Sequence, residues 1–187
     1  MKLISLFITA FLTENIVLTK FLGICPLIGT STNCKKATNM GLAVTIVTFF
    51  SCIISYLINK FILIPNDITY MATIIFILII ASLVQISKII IKNKFKNIYL
   101  QLGIYLSLIT TNCAVLGTVL LATNSNYNLL EVIIFALGSS LGFYLILYIF
   151  STIRSRLNNS SIPKCLQGFP IALITIGIIS IIFMRCL

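Results

Sequence analysis

Histidine is absent from this chain, and acidic residues number only 3. Without histidine there is no histidine-ligated haem, no histidine acid–base catalysis and none of the usual zinc sites. The cysteines show no closely paired zinc spacing either. Charged residues make up 9% of the 187 positions, against roughly a quarter in a soluble domain. A soluble globular protein is thereby excluded, and no stretch has the look of a separate aqueous domain.

What remains is mostly apolar. Hydrophobic residues are 59% of the chain, and they cluster into six segments, roughly 3–31, 40–64, 68–91, 98–122, 129–153 and 168–187. Segments of this length match the thickness of a bilayer, so the composition predicts an all-α, multi-pass membrane protein. "MKLISLFITAFL" has no small-x-small cleavage site before its apolar run continues, and reads as the first membrane helix. "NCKKATN", "IPND", "KNKFKN", "TNSNYN" and "RSRLNNSSIPKCLQG" read as the connecting turns.

The net charge of +10 falls in short connections, not in one basic stripe interleaved with aromatics, which argues against nucleic acid. It reads as a topology signal with attraction to anionic headgroups. If connections alternate sides, Lys2, Lys60 and Arg185 share one face of the membrane. Lys35, Lys36, Lys88, Lys92, Lys94, Lys96, Arg154, Arg156 and Lys164 share the other, and Lys20 lies inside a segment. The positive-inside bias predicts both termini outside the cytoplasm.

The first segment is too long for one simple crossing. Between Lys2 and Lys35 lie 32 residues (35 − 2 − 1), about 48 Å as continuous helix, against a hydrocarbon core about 30 Å thick. Gly23, Pro26 and Gly29 within it weaken helix continuity, predicting a broken helix. Broken backbone at membrane depth survives only where protein or a cavity satisfies it. Cys25 opens "CPLIGT" and Cys113 opens "CAVLGT", so C-x-x-x-G-T occurs once in each half. Each copy falls in the first segment of a three-segment half, so the halves, about 1–92 and 97–187, cross in opposite senses. The expectation is an inverted repeat with its site at the repeat interface and the first helix of each half broken near its cysteine.

Cys25 and Cys113 are the sharpest chemical candidates. An isolated buried cysteine ordinarily acts as a small hydrophobe, and a Cys25–Cys113 disulfide is a further alternative. Thiolates suit iron–sulfur clusters, which take four ligands, so two would come from a partner. Thr110, Thr111 and Asn112, three polar residues directly before Cys113 in a greasy run, would serve as its hydrogen-bonding collar. Cys34 and Cys165 lie in connections, Cys52 in an apolar helix and Cys186 at the C-terminus, and all four read as bystanders. Glu14 is the one acidic residue well inside an apolar segment, a candidate for an ion pathway or for a structural hydrogen bond. "GSSLG" (138–142) reads as a close-packing face, and Asp67 and Glu131 as solvated ends.

"ENIVLTKFLGICPLIGTS" (14–31) and "GIYLSLITTNCAVLGTVLL" (103–121) closely resemble the two signatures of the A subunit family of Rnf complexes. Sister subunits of the sodium-pumping NADH:quinone oxidoreductase share that fold. One departure is Ser107, where proline is expected. The resemblance implies six transmembrane helices in inverted repeats and a homologous partner subunit of opposite orientation in the bacterial inner membrane. It implies a [2Fe–2S] cluster shared between the two, with Cys25 and Cys113 as this chain's ligands. It further implies electron transfer of the ferredoxin/NAD type coupled to Na⁺ or H⁺ translocation by the whole complex. A rival reading keeps the inverted repeat but makes it a secondary transporter of a small solute with incidental cysteines. A third makes it a structural scaffold, sensitive at Gly138 and Gly142 and tolerant at the cysteines.

Overall fold

The computed structural model describes residues 2–13, 15–31, 33–65, 71–94, 112–125, 127–157 and 168–186. Every regular element among them is helical. The order is α1 (Lys2–Ile8), running into a π-helical turn (Thr9–Thr13), then α2 (Ile16–Lys20), α3 (Ile24–Thr30) and α4 (Cys34–Ile58). A second π-helical turn (Asn59–Leu63) extends α4, and α5 (Ala72–Lys94), α6 (Cys113–Asn124), α7 (Leu129–Leu157) and α8 (Phe169–Cys186) follow.

Among the described residues, two helices are long and apolar enough to cross a bilayer. Cys34–Leu63 has 30 residues and Leu129–Leu157 has 29, about 45 and 44 Å of helix respectively. Leu3–Thr13, Ala72–Ile86, Cys113–Asn124 and Phe169–Phe183 are shorter apolar helices. Outward positions carry large apolar side chains, among them Leu42, Ile46 and Phe50 on α4, Ile74 and Leu78 on α5, and Ile178 and Ile181 on α8. Inward positions include Ser51, Ser55, Thr118, Ser139, Ser140 and Ser151, all buried. Apolar outside with small hydroxyl residues between the helices is the arrangement that suits lipid.

The two halves interlock. α4, from the first half, packs most extensively along α7, from the second, and also against α6. α7 in turn meets α1, the first π turn, α2 and α3. The core between them holds Leu27, Met40, Val115, Val119, Leu147 and Phe150.

The first segment is cut twice. One cut follows the π turn, where Asn15 caps α2 by accepting the Val17 N–H on its side-chain oxygen (3.2 Å). The second spans Phe21–Gly23, where Phe21 (φ 54°) and Gly23 (φ 86°) both take the left-handed conformation. Pro26 and Gly29 do not break the chain. Pro26 occupies the first turn of α3, where its missing N–H is not needed, and Gly29 lies inside the same helix. Orphaned backbone at the cuts is satisfied from the other half. Ser180 of α8 donates to the Leu18 carbonyl (2.7 Å), and Arg154 of α7 donates to the Ile28 carbonyl (2.6 Å) at the end of α3.

"NCKKATN" is not a turn. Asn33 caps α4 by accepting the Lys35 N–H (3.1 Å), and Cys34, Lys35 and Lys36 form its first turn. Lysine and alanine are good helix formers, so the helix runs past its apolar portion. Cys34 therefore sits on a helix, where the Ser151 hydroxyl reaches its sulfur at 3.5 Å. Glu131 is more than a solvated end. It accepts the Asn128 N–H (2.9 Å) and so closes the start of α7.

The "GSSLG" face packs within the chain. A Cβ on Gly142 would lie 2.8 Å from the Phe11 carbonyl oxygen and from the Asn15 side-chain nitrogen, and one on Gly138 would lie 3.0 Å from the Phe7 carbonyl oxygen. Backbone atoms cannot swing aside as a flexible side chain would. Gly142→Ala is expected to destabilise the protein by about 1–3 kcal/mol, read as a lowered unfolding temperature of the purified complex.

Ser51 and Ser55, one turn apart on α4, are fully buried, and their hydroxyls have no hydrogen-bond partner. An unpaired buried hydroxyl is a net cost. Ser51→Ala and Ser55→Ala are each expected to hold or raise stability, by up to about 1 kcal/mol. A lower unfolding temperature in either variant would contradict this.

Candidate functional site

The second cut in the first segment places its bend on the first turns of α6. The Gly23 N–H donates to the Cys113 sulfur at 3.0 Å, across 90 positions of chain. Around that bond the packing leaves no slack. A Cβ on Gly23 would stand 3.0 Å from the Ala114 Cβ and 2.7 Å from the Phe143 ring, and one on Gly117 would stand 2.7 Å from Leu22. Cys113 and Gly117, four apart, share one face of α6, and Ala114, three before Gly117, borders it. The bend Leu22–Gly23 rests on that face.

Cys25 follows Gly23 by two residues, in the first turn of α3. Its Cα therefore lies within about 7.6 Å of the Gly23 Cα, in the same neighbourhood as Cys113. Both cysteines are free thiols, which removes the disulfide alternative from this arrangement. Cys25 is exposed and Cys113 half-buried. One sulfur is thus held by the fold while the other faces out of the chain.

The collar around Cys113 is described in part. Asn112 is buried at 3% exposure and caps α6, its side-chain oxygen accepting the Ala114 N–H at 3.0 Å. Its side-chain nitrogen is buried with no hydrogen-bond partner. Thr110, Thr111 and Glu14 lie outside the described residues, as does Ser107. Cys52 is buried, and Cys165 also lies outside the described residues.

The two C-x-x-x-G-T stretches share a local form. Thr30 bonds back to the Pro26 carbonyl and Thr118 to the Ala114 carbonyl, each at 2.7 Å and each to the residue just after the cysteine. Both threonines are buried. Asn15 and Asn112 each cap a helix through the side-chain oxygen, Asn112 directly before Cys113 and Asn15 ten residues before Cys25. Sequence reasoning misses Asn15 as a cap, although "TEN" and "TTN" (13–15 and 110–112) carry the signal. It also misses the Gly23 N–H as a donor to sulfur, since glycine in an apolar run signals only a helix breaker.

Two thiols from separate halves, one outward and one inward with a backbone donor, suit half of a four-thiolate ligand set. Among the described residues no three histidine, cysteine, aspartate or glutamate side chains form a metal-binding group.

Comparison with known proteins agrees with this architecture. The family described as "Rnf-Nqr subunit, membrane protein" matches residues 3–186. The chain is 47% identical over 184 residues to the A subunit of the Na(+)-translocating ferredoxin:NAD(+) oxidoreductase complex of Acetobacterium woodii, covering 98% of this chain and 96% of that one. It is 47% identical over 184 residues to the A subunit of the ion-translocating oxidoreductase complex of Buchnera aphidicola (98% and 95% covered). Against the protein of the same name from Pectobacterium atrosepticum it is 46% identical over 179 residues (96% and 93%). Matched over residues 3–186, the chain belongs to the Rnf-Nqr family of membrane subunits.

Proposed function

We propose that this chain is the A-type membrane subunit of an Rnf-type ion-translocating oxidoreductase complex, and that Cys25 and Cys113 supply half the ligands of an intramembrane [2Fe–2S] cluster. The relatives are named as the A subunits of such complexes. The observation that carries the cluster reading is the pairing of an exposed Cys25 with a half-buried Cys113 that accepts the Gly23 N–H. An outward thiol beside an inward one is what a ligand set shared between two chains requires. The other ligands come from a homologous six-helix subunit of opposite orientation.

When bound, such a cluster supplies one-electron storage between carriers on the two faces of the membrane. The chain's own residues do the rest. Asn112 and Asn15 fix where α6 and α2 begin, Leu22 and Gly117 set the depth of the bend, and Gly23 holds the Cys113 sulfur. α2, with Ile16, Val17 and Leu18 buried, keeps water from that side. The complex as a whole couples ferredoxin/NAD-type electron transfer to Na⁺ or H⁺ movement. The chain sits in the bacterial inner membrane as six spans in two inverted repeats, with both termini on the periplasmic side. The C-x-x-x-G-T stretch in each half supports that repeat.

Ferredoxin-driven ion uptake into vesicles holding the whole complex tests the reading. With Cys25→Ser and Cys113→Ser combined, uptake is expected to vanish while the complex still assembles. Undiminished uptake would make both cysteines incidental and remove the cluster reading.

A further inference from the structure

We propose that the Gly23 backbone N–H is a positioning donor that sets the electron affinity of the site and ties it to the fit between the two halves of the chain. This rests on Cys113 being a cluster ligand.

A hydrogen bond to a ligand sulfur draws negative charge from it and favours the reduced state. Gly23 is fixed for this task from several sides. Its φ of 86° belongs to the region where L side chains are strained. The Phe143 ring and the Ala114 methyl, both from the second half, occupy the space a Cβ would take. Leu22, the neighbouring residue, is seated on Gly117. The donor and Leu22 belong to the first half, whereas the sulfur, Ala114, Gly117 and Phe143 belong to the second. At 3.0 Å the N–H and the sulfur are in close contact, so a shift between the halves changes this bond directly.

The consequence is reciprocal. An added electron raises the negative charge on the Cys113 sulfur, and no covalent bond forms or breaks. If a tight bend favours the reduced state, reduction must favour the tight bend by the same factor. Gly23 thereby converts a redox change into a preference for one packing of the halves.

The test is an anaerobic redox titration of the whole complex followed by EPR, comparing wild type with Gly23→Ala. The added Cβ collides with the Phe143 ring and displaces the N–H from Cys113. A tenfold weaker hold on the electron is expected, a midpoint lowered by about 59 mV for a one-electron couple. An unchanged midpoint in an assembled Gly23→Ala complex overturns the proposal.

Should that variant fail to assemble, the wild-type chain decides. Made by cell-free synthesis with ¹⁵N-glycine and assembled with unlabelled partner subunits, the reduced complex should show a ¹⁵N coupling in pulsed EPR. Absence of that coupling overturns the proposal. A wild-type complex with no cluster signal would overturn the cluster reading itself, a result distinct from a cluster of unshifted potential.

Discussion

Cys113→Ser is expected to bring electron transfer through the complex down to background while leaving the complex assembled. The two halves of that expectation have separate causes. A serine hydroxyl is a hard, weakly acidic group, and iron–sulfur clusters are held by soft thiolates. The fold, by contrast, asks little of the sulfur itself. The Gly23 N–H that it accepts can be accepted by a serine oxygen, and Asn112 caps α6 from the preceding position, whatever residue follows. Cys25→Ser should behave alike, because Cys25 is exposed and its thiol is free. A purely packing role predicts the reverse, with electron transfer retained in both variants. Measuring ferredoxin-dependent acceptor reduction alongside the yield of assembled complex separates the two.

Arg154→Met is expected to cost about 2–4 kcal/mol of stability, more than the loss of an ordinary surface charge. By sequence, Arg154 is one of the basic residues that set orientation. In the structure its guanidinium donates to the Ile28 carbonyl (2.6 Å) and to the Ser31 hydroxyl (2.7 Å). Ser31 is fully buried, and its carbonyl accepts the Ser151 hydroxyl at 3.1 Å. A cation at a helix C-terminus also meets the negative end of the helix dipole. The residue thus pins the end of the broken helix α3 to α7, across the two halves. Methionine keeps the apolar stem and removes the charge and all its donors. A clear drop in the unfolding temperature of the purified complex is expected, with Arg154→Lys intermediate because an ammonium keeps the charge on a differently shaped side chain. Unchanged stability would return Arg154 to a topology role alone.

Much of the fold was legible because bilayer constraints are strong. Apolar stretches at the intervals of 129–153 and 168–187 have few other uses, and α7 and α8 follow them closely. The repeat of C-x-x-x-G-T was readable as pattern alone. The turn of the backbone was legible in part: Gly23, one of the three expected breakers, lies in the bend, whereas Pro26 and Gly29 sit inside α3 and a bulky aromatic, Phe21, is held left-handed. Local propensity opposes that conformation at Phe21, so only tertiary packing can impose it. Lys35 and Lys36 misled for a related reason. Charge marks the membrane edge but does not end a helix.

The candidate site divides the same way. Cys25, Cys113 and Asn112 were legible from residue type and position. Their relation was not, because it depends on Gly23 meeting Cys113 across 90 positions. Hydropathy carries no information about such a contact. Side chains such as Ser180 and Arg154, which satisfy the broken backbone, were invisible for the same reason: each acts on an element distant in sequence.

The most direct measurement is iron and acid-labile sulfide in the anaerobically purified complex, with EPR after reduction, for wild type, Cys25→Ser and Cys113→Ser. With two cysteines here and two on the partner, the account predicts that each single substitution removes the same [2Fe–2S] signal and about two irons. Full iron and an unchanged signal in both variants would contradict it.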